Sequence, residues 1–191
     1  MSFLIRVAES SEYAEAGCVT AEAYRIDDLL RRADGLIDTG YEAELTDAGR
    51  RAREAELLVA VENGHVLGTV TWCPPTSPWR ELATEHDQAE FRMLSVAAAG
   101  RHRGVGRALV TACLERARAE RMREVLLSSL PQMTRAHALY REFGFVPAPE
   151  LDHSPKPHVH LWAFRLTWIC RSPADESGQE QHATRRAARG K

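Results

Sequence analysis

The sequence predicts an α/β protein: a single mixed, mostly antiparallel sheet flanked by helices. Three observations carry that class. Residues 57–61 and 66–72 are apolar runs on either side of Glu62-Asn63-Gly64-His65, and Asn-Gly between such runs favours the positive-φ turn of a tight hairpin. Residues 91–96 are rich in strand formers and pass through a loop, 97–103, into an amphipathic helix that starts at Val105 and runs to Arg121. Beyond it, short apolar runs again alternate with helical periodicity, the pattern of strands covered by helices.

Taken in order, residues 3–7 (Phe-Leu-Ile-Arg-Val) read as the first strand, closed at Glu9-Ser10-Ser11, where a serine can cap a helix. Ala16, Val19, Ala23, Ile26 and Leu30 then fall at helical spacing, and Asp34-Gly35 and Thr39-Gly40 break the pattern. Residues 41–56 are charged and alanine-rich, giving a second helix or an irregular crossing. After the hairpin, Pro74, Pro75 and Pro78 open a loop that runs through Trp79 to Asp87; Trp79 reads as a packing aromatic or a stacking surface for a ligand. In the helix from Val105, an apolar stripe of Val105, Leu109, Val110, Cys113, Leu114 and Ala117 faces the core. Its arginines interleave with Glu115, Glu120 and Glu124, a solvated charged face. Residues 125–130, bounded by Pro131, read as a buried strand. Residues 134–143 form a further helix, with Gly144 suited to its left-handed cap. Residues 145–146 and 160–168 supply two more strands around a loop, 147–158. We expect one domain over residues 1–170 and a disordered polar tail over 171–191, which holds no large apolar side chain.

Composition narrows the possible functions. With 191 residues, 44% hydrophobic and 27% charged, the chain has room for a substantial core. A net charge of −2 argues against nucleic acid as the main partner, and no apolar run reaches membrane-span length. The opening MSFLIRVAES has too short an apolar core for a signal peptide, so the expected location is cytoplasmic. Cys18, Cys73, Cys113 and Cys170 show no Cys-x-x-Cys spacing, which points to buried free thiols rather than zinc or disulfides. His153, His158 and His160 are irregularly spaced, and no metal is expected.

The richest stretch is Arg101-His102-Arg103-Gly104-Val105-Gly106-Arg107. It wraps the start of a helix, where backbone N–H groups lack partners and the dipole attracts anions, in glycines that admit close approach and arginines that add charge. Such a loop suits a diphosphate. A dinucleotide-binding loop of the G-x-G-x-x-G kind would want a small residue at Leu109, and a Walker loop would want Gly-Lys-Ser/Thr; neither is present.

Residues 101–106 fit the Gln/Arg-x-x-Gly-x-Gly/Ala loop of the Gcn5-related N-acetyltransferase family, and Ala136, Leu139, Tyr140, Gly144 and Phe145 match its Ala-x-x-Leu-Tyr-x-x-x-Gly-Phe helix end. The chain resembles that family over residues 3–168. The resemblance implies the acyl-CoA N-acyltransferase fold with six to seven strands, and acetyl-CoA as co-substrate. Arg101, His102, Arg103, Gly104, Val105, Gly106 and Arg107 would then hold the diphosphate, and Leu94, Ser95 and Val96 the pantetheine. Tyr140 matches the proton donor to the coenzyme thiolate. Where the family often has an asparagine seven residues earlier, Met133 stands here, and Thr134 or the backbone takes over its contact.

The two segments between residues 10 and 56 would flank the acceptor, which makes Tyr24, Asp27, Asp28, Asp38 and Tyr41 acceptor-contact candidates, with a solvated polar face as their bland alternative. The acceptor's ammonium must lose a proton before attack, commonly through water to a carboxylate; Glu90 is the first choice of base, with Asp87, His86 and His137 behind it. Neither motif contains a cysteine, so direct attack in a ternary complex is expected. The partner is a small-molecule amine or a peptide amine, with a homodimer left open. The alternatives are a non-catalytic acetyl-CoA-binding sensor and an arginine-helix module that binds nucleic acid.

Overall fold

The computed structural model describes residues 2–32, 34–156 and 159–168, so Cys170, His158 and the expected tail lie outside the described residues. The elements run β1 (Leu4–Val7), α1 (Tyr13–Ile26), α2 (Thr39–Thr46), α3 (Ala48–Glu54), β2 (Glu56–Glu62), β3 (His65–Cys73), β4 (Gln88–Val96), α4 (Val105–Ala119), β5 (Glu124–Ser129), α5 (Thr134–Glu142), β6 (Val146–Pro147), β7 (His153–Lys156) and β8 (Val159–Thr167). The sheet order is β1-β2-β3-β4-β5-β8-β6, with β7 paired to β8 beside it. Every pairing is antiparallel except β4 with β5. The mixed, mostly antiparallel sheet expected from the sequence is therefore the sheet observed.

Alternation along β2 puts Leu58 and Ala60 into the core beneath α4 and α5, while Leu57 and Val59 enter the core beneath α1 and α3. Both sheet faces are thus covered. Close approach of the layers is set by two glycines. A Cβ on Gly68 would lie 2.8 Å from Val105 Cγ1 and 2.9 Å from the Ser95 carbonyl oxygen, so α4 can sit on β3 only over a bare backbone. A Cβ on Gly17 would lie 2.0 Å from the carbonyl oxygen of Thr46, which brings α1 and α2 into backbone contact.

Local differences from the sequence reading have physical causes. A 3-10 turn, Ser10–Glu12, leads into α1 and opens on a reciprocal cap between Glu9 and Glu12 rather than on a serine, with the Glu9 N–H donating to Glu12 Oε2 at 2.8 Å. Residues 41–56 hold two helices, because Asp47 leaves helical geometry and its carboxylate caps α3 by accepting the Arg50 N–H at 2.8 Å. The loop 147–158 contains β7; its exposed, proline-bearing His-Ser-Pro-Lys carries no apolar alternation to betray a strand. Cys18 is exposed, whereas Cys73 and Cys113 are buried; all three are free.

Two features of β4 shape the site. Thr69 pairs with Ser95 and Thr71 with Arg92, so Met93 and Leu94 together face Val70; Met93 takes φ 55° to make that bulge. On the other side, β4 pairs with β5 only from Gln88↔Glu124 to Glu90↔Leu126. From Phe91 onward the two strands part.

Candidate active site

Where β4 and β5 part, a cavity of about 260 Å³ opens, lined by Phe91, Arg92, Met93 and Leu94 on one strand and by Leu127, Ser128 and Ser129 on the other. Among the described residues β4 has no strand partner there on its β5 side, so that edge of its backbone can pair with an extended amide chain. Leu94 lines the cavity; Ser95 and Val96 instead pair with Thr69 and Gly68 in the ladder to β3.

Past Val96 the chain turns into α4 through His102 at φ 60° and Gly104 at φ 81°. Gly104 is the N-cap residue and offers no side-chain cap, which leaves the first-turn N–H groups of α4 available to an anion. A Cβ on Gly106 would meet Val96 and Leu139 side chains at 3.5 and 3.6 Å, ordinary contact distances. The fold therefore has room for a methyl group at Gly106 without strain. The loop arginines are each answered by a carboxylate: Arg101 by Asp27 at 3.1 Å, Arg103 by Glu62 at 2.7 Å and Arg107 by Glu142. All three pairs are at least partly exposed, so an anion reaching this loop would compete with them at small cost.

Tyr140 lines the cavity from α5 and rests edge-on against Phe91, at 6.1 Å between centroids, and beside Phe145 and Phe164. Burial pushes its phenol pKa well up, so it is protonated throughout the neutral range. Met133 lines the cavity too, while Thr134, at the first position of α5, is exposed and does not. His137 is buried, stacks on Trp162 and shares a 3.0 Å hydrogen bond with the Ser129 hydroxyl; burial holds its pKa down.

Of the acceptor candidates, Tyr24, Asp38 and Tyr41 line the cavity, and the two tyrosine rings meet edge-on at 6.0 Å. Asp27 and Asp28 do not; they pair with Arg101 and Arg31. Trp79 is buried under the Arg50 guanidinium as a packing aromatic. The charged lining sorts into pairs. Arg92 meets Glu81 at 2.7 Å, Lys156 meets Asp38 at 2.9 Å, Arg31 meets Asp28 and Arg32 meets Asp34. Burial works against the Arg92 charge, but the carboxylates of Glu81 and Glu90 outweigh it and hold the pKa up. Glu44 is half-buried in this lining and has no hydrogen-bond or ion-pair partner among the described residues.

Glu90 sits apart from the cavity. It is fully buried, and its Oε2 accepts the backbone N–H groups of Glu81, Leu82 and Ala83 at 2.9 to 3.0 Å, while Oε1 has no partner among the described residues. Burial raises its pKa against the opposing pull of those N–H groups. Of the reserves, His86 is exposed and Asp87 pairs with Arg123 at 2.8 Å; neither lines the cavity. Among the described residues no group of three metal-ligating side chains occurs.

Arg92, Glu44, Met133 and Lys156 are cavity residues that the sequence reading did not select. Arg92 had a readable signal, as the one charged residue in the strand run 91–96. Lys156 had another: of 25 lysines and arginines, two are lysines. Glu44 had none, because a glutamate in a charged helix reads as solvated. Also unselected is Arg51, wholly buried, which donates to the hydroxyls of Thr20 and Thr71 and to the Leu45 carbonyl; burial pulls its pKa down to about 10.

The family model described as Acetyltransferase (GNAT) family matches residues 14–145. The chain belongs to the GNAT acetyltransferase family. Among solved structures it is similar to a GCN5-related N-acetyltransferase from Kribbella flavida, at 26% identity and TM-score 0.61, covering 87% of this chain and 98% of that one. A ribosomal-protein-alanine N-acetyltransferase from Brucella melitensis superposes at 20% identity and TM-score 0.61, over 86% and 99% of the two chains. A GNAT family acetyltransferase from Brucella melitensis in complex with acetyl-CoA does so at 24% identity and TM-score 0.55, over 90% and 92%. No curated protein matches the sequence. Among the described residues no helix is long and apolar enough to cross a membrane.

Proposed function

We propose that this protein transfers the acetyl group of acetyl-CoA to an amine held in the cavity between Tyr24, Tyr41 and β4. The observation that carries the reading is the parting of β4 from β5 immediately before an uncapped, glycine-started helix: one groove offers unpaired strand backbone for amides and free N–H groups for a diphosphate. The neighbour solved with acetyl-CoA supports the same ligand. The coenzyme brings the activated acetyl thioester. The chain's residues align it, polarise its carbonyl and manage two protons.

The bulge at Met93 takes Met93 and Leu94 out of regular register with β3, beside the unpaired edge, which suits their backbone to a developing oxyanion. Tyr140 is the proton donor to the leaving sulfur. Glu44 rather than Glu90 takes the acceptor's proton, directly or through water, because Glu44 lines the cavity with no partner for its carboxylate among the described residues and Glu90 is committed to three backbone N–H groups. Attack is direct: none of Cys18, Cys73 and Cys113 lines the cavity, and burial pushes the thiols of Cys73 and Cys113 well up, away from thiolate. Their reduced state also fits a cytoplasmic setting.

Coenzyme release measured across classes of amine, for the parent and Tyr140→Phe, tests the reading. Release dependent on an amine and cut by the substitution supports it. Binding of acetyl-CoA with no product from any amine would make the chain a coenzyme-binding module instead.

A further inference from the structure

The sequence holds two lysines, Lys156 and Lys191, against a much larger number of arginines. Either residue serves as a solvated surface cation, but only the lysine amine can be deprotonated near neutrality and attack a carbonyl carbon. Lys156 is the one lysine among the described residues, and it lines the same cavity as Leu94 and Tyr140.

Its ammonium bonds Asp38 Oδ2 at 2.9 Å and stands 5.2 Å from the centroid of the Tyr41 ring. A carboxylate and an aromatic face are the groups with which a protein holds a primary ammonium. The main chain at Lys156 is fixed by pairing with Val159, while the side chain is 47% exposed and therefore tethered rather than packed. Four methylenes let the amine swing from Asp38 across the cavity.

We propose that Lys156 is acetylated at Nζ by the active site of its own chain, with acetyl-CoA as donor. The proposal rests on the acetyltransferase reading above. Lys156 first gives a proton to Glu44 or water. The neutral nitrogen then attacks the thioester carbonyl carbon; the N–C bond forms, the nitrogen gives its second proton to water, the C–S bond breaks, and sulfur leaves with the bonding pair and takes a proton from Tyr140, which is reprotonated from solvent. The balance is one acetyl-lysine, one coenzyme thiol and one proton released. The amide carries no charge, so Asp38 loses its ion pair and Tyr41 its cation. Both groups are then open to the ammonium of an external acceptor.

The test is to incubate the full-length protein with acetyl-CoA alone and follow acetyl occupancy of Lys156 and Lys191 by peptide mass spectrometry. Lys191 is the internal reference for uncatalysed acetylation. Proximity predicts that Lys156 is modified at least about tenfold faster than Lys191, at a rate independent of protein concentration. Tyr140→Phe should slow Lys156 and leave Lys191 unchanged. Equal rates at the two lysines, a Lys156 rate proportional to protein concentration, or no effect of Tyr140→Phe overturns the proposal. If external amines still release coenzyme when Lys156 stays unmodified, self-acetylation fails and the acetyltransferase reading stands; if neither occurs, both fail.

Discussion

Glu90 Oε2 accepts the backbone N–H of Leu82 at 2.9 Å, and the N–H groups of Glu81 and Ala83 converge on the same oxygen at 3.0 Å. One carboxylate thus organises the loop between β3 and β4. Glu90→Ala orphans three backbone donors and should cost about 3 kcal/mol of stability. Glu90→Gln keeps an oxygen in place and should retain most of the stability and the turnover. The two also differ in pH dependence. Burial raises the Glu90 pKa above its ordinary 4.5, so the folded chain holds that proton more tightly than the unfolded one. This contribution is complete below pH 4.5 and fades as pH rises through the folded value. Denaturation at a series of pH values should show the parent losing ground against Glu90→Gln toward neutrality; a parent that gains ground refutes the assignment.

Two glycines beside α4 should separate folding from binding. Gly106→Val extends beyond the ordinary contacts with Val96 and Leu139 into the space before the helix start, and should weaken acetyl-CoA at least tenfold, or about 1.4 kcal/mol, with the fold retained. Gly68→Ala forces a Cβ to 2.8 Å from Val105 and 2.9 Å from a carbonyl oxygen, and should destabilise the fold by about 2 kcal/mol. Calorimetric affinity and melting midpoints, read side by side, check both.

Tyr140→Phe preserves the ring contacts with Phe91, Phe145 and Phe164 and deletes only the hydroxyl. With the hydroxyl as proton donor, kcat should fall by something like 10² to 10⁴ with coenzyme affinity nearly constant. Parent-like turnover with altered stability would leave Tyr140 as a packing residue.

Glu44→Gln removes a cavity carboxylate that has no partner among the described residues, at nearly constant volume. The expected result is a fall in kcat/KM for the amine of about 10²-fold, with acetyl-CoA binding unchanged. An equal loss in coenzyme affinity would move Glu44 out of the acceptor's share of the cavity.

The strands and helices that carry period-2 or helical apolar patterns, β2, β3, β4, α4 and α5, were legible in the sequence, as was the Gly104-centred turn. Asp47 was not, since one aspartate serves as the stop of one helix and the cap of the next, and its composition fits either. Gly68 and Gly17 carry no local signal because their requirement is imposed by residues 37 and 29 positions away. The site divides along the same line. The glycine-arginine loop is contiguous and could be read as a string, whereas the cavity gathers α1, α2, β4 and β7 by tertiary packing. Glu90 shows the limit: chemistry makes any carboxylate a candidate base, and only burial and partners distinguish one that is spoken for from one that is free.

The parting of β4 from β5 leaves two half-sheets sharing a short seam, residues 88–90 against 124–126. A ligand lying in the wedge supplies the missing rungs, so occupancy and rigidity become one quantity, and stability grows with the logarithm of donor concentration above its dissociation constant. Unzipping on heating should begin at the wedge and be delayed by whatever fills it. On the proposed function, the melting temperature of this protein is in that sense a gauge of how much acetyl donor surrounds it.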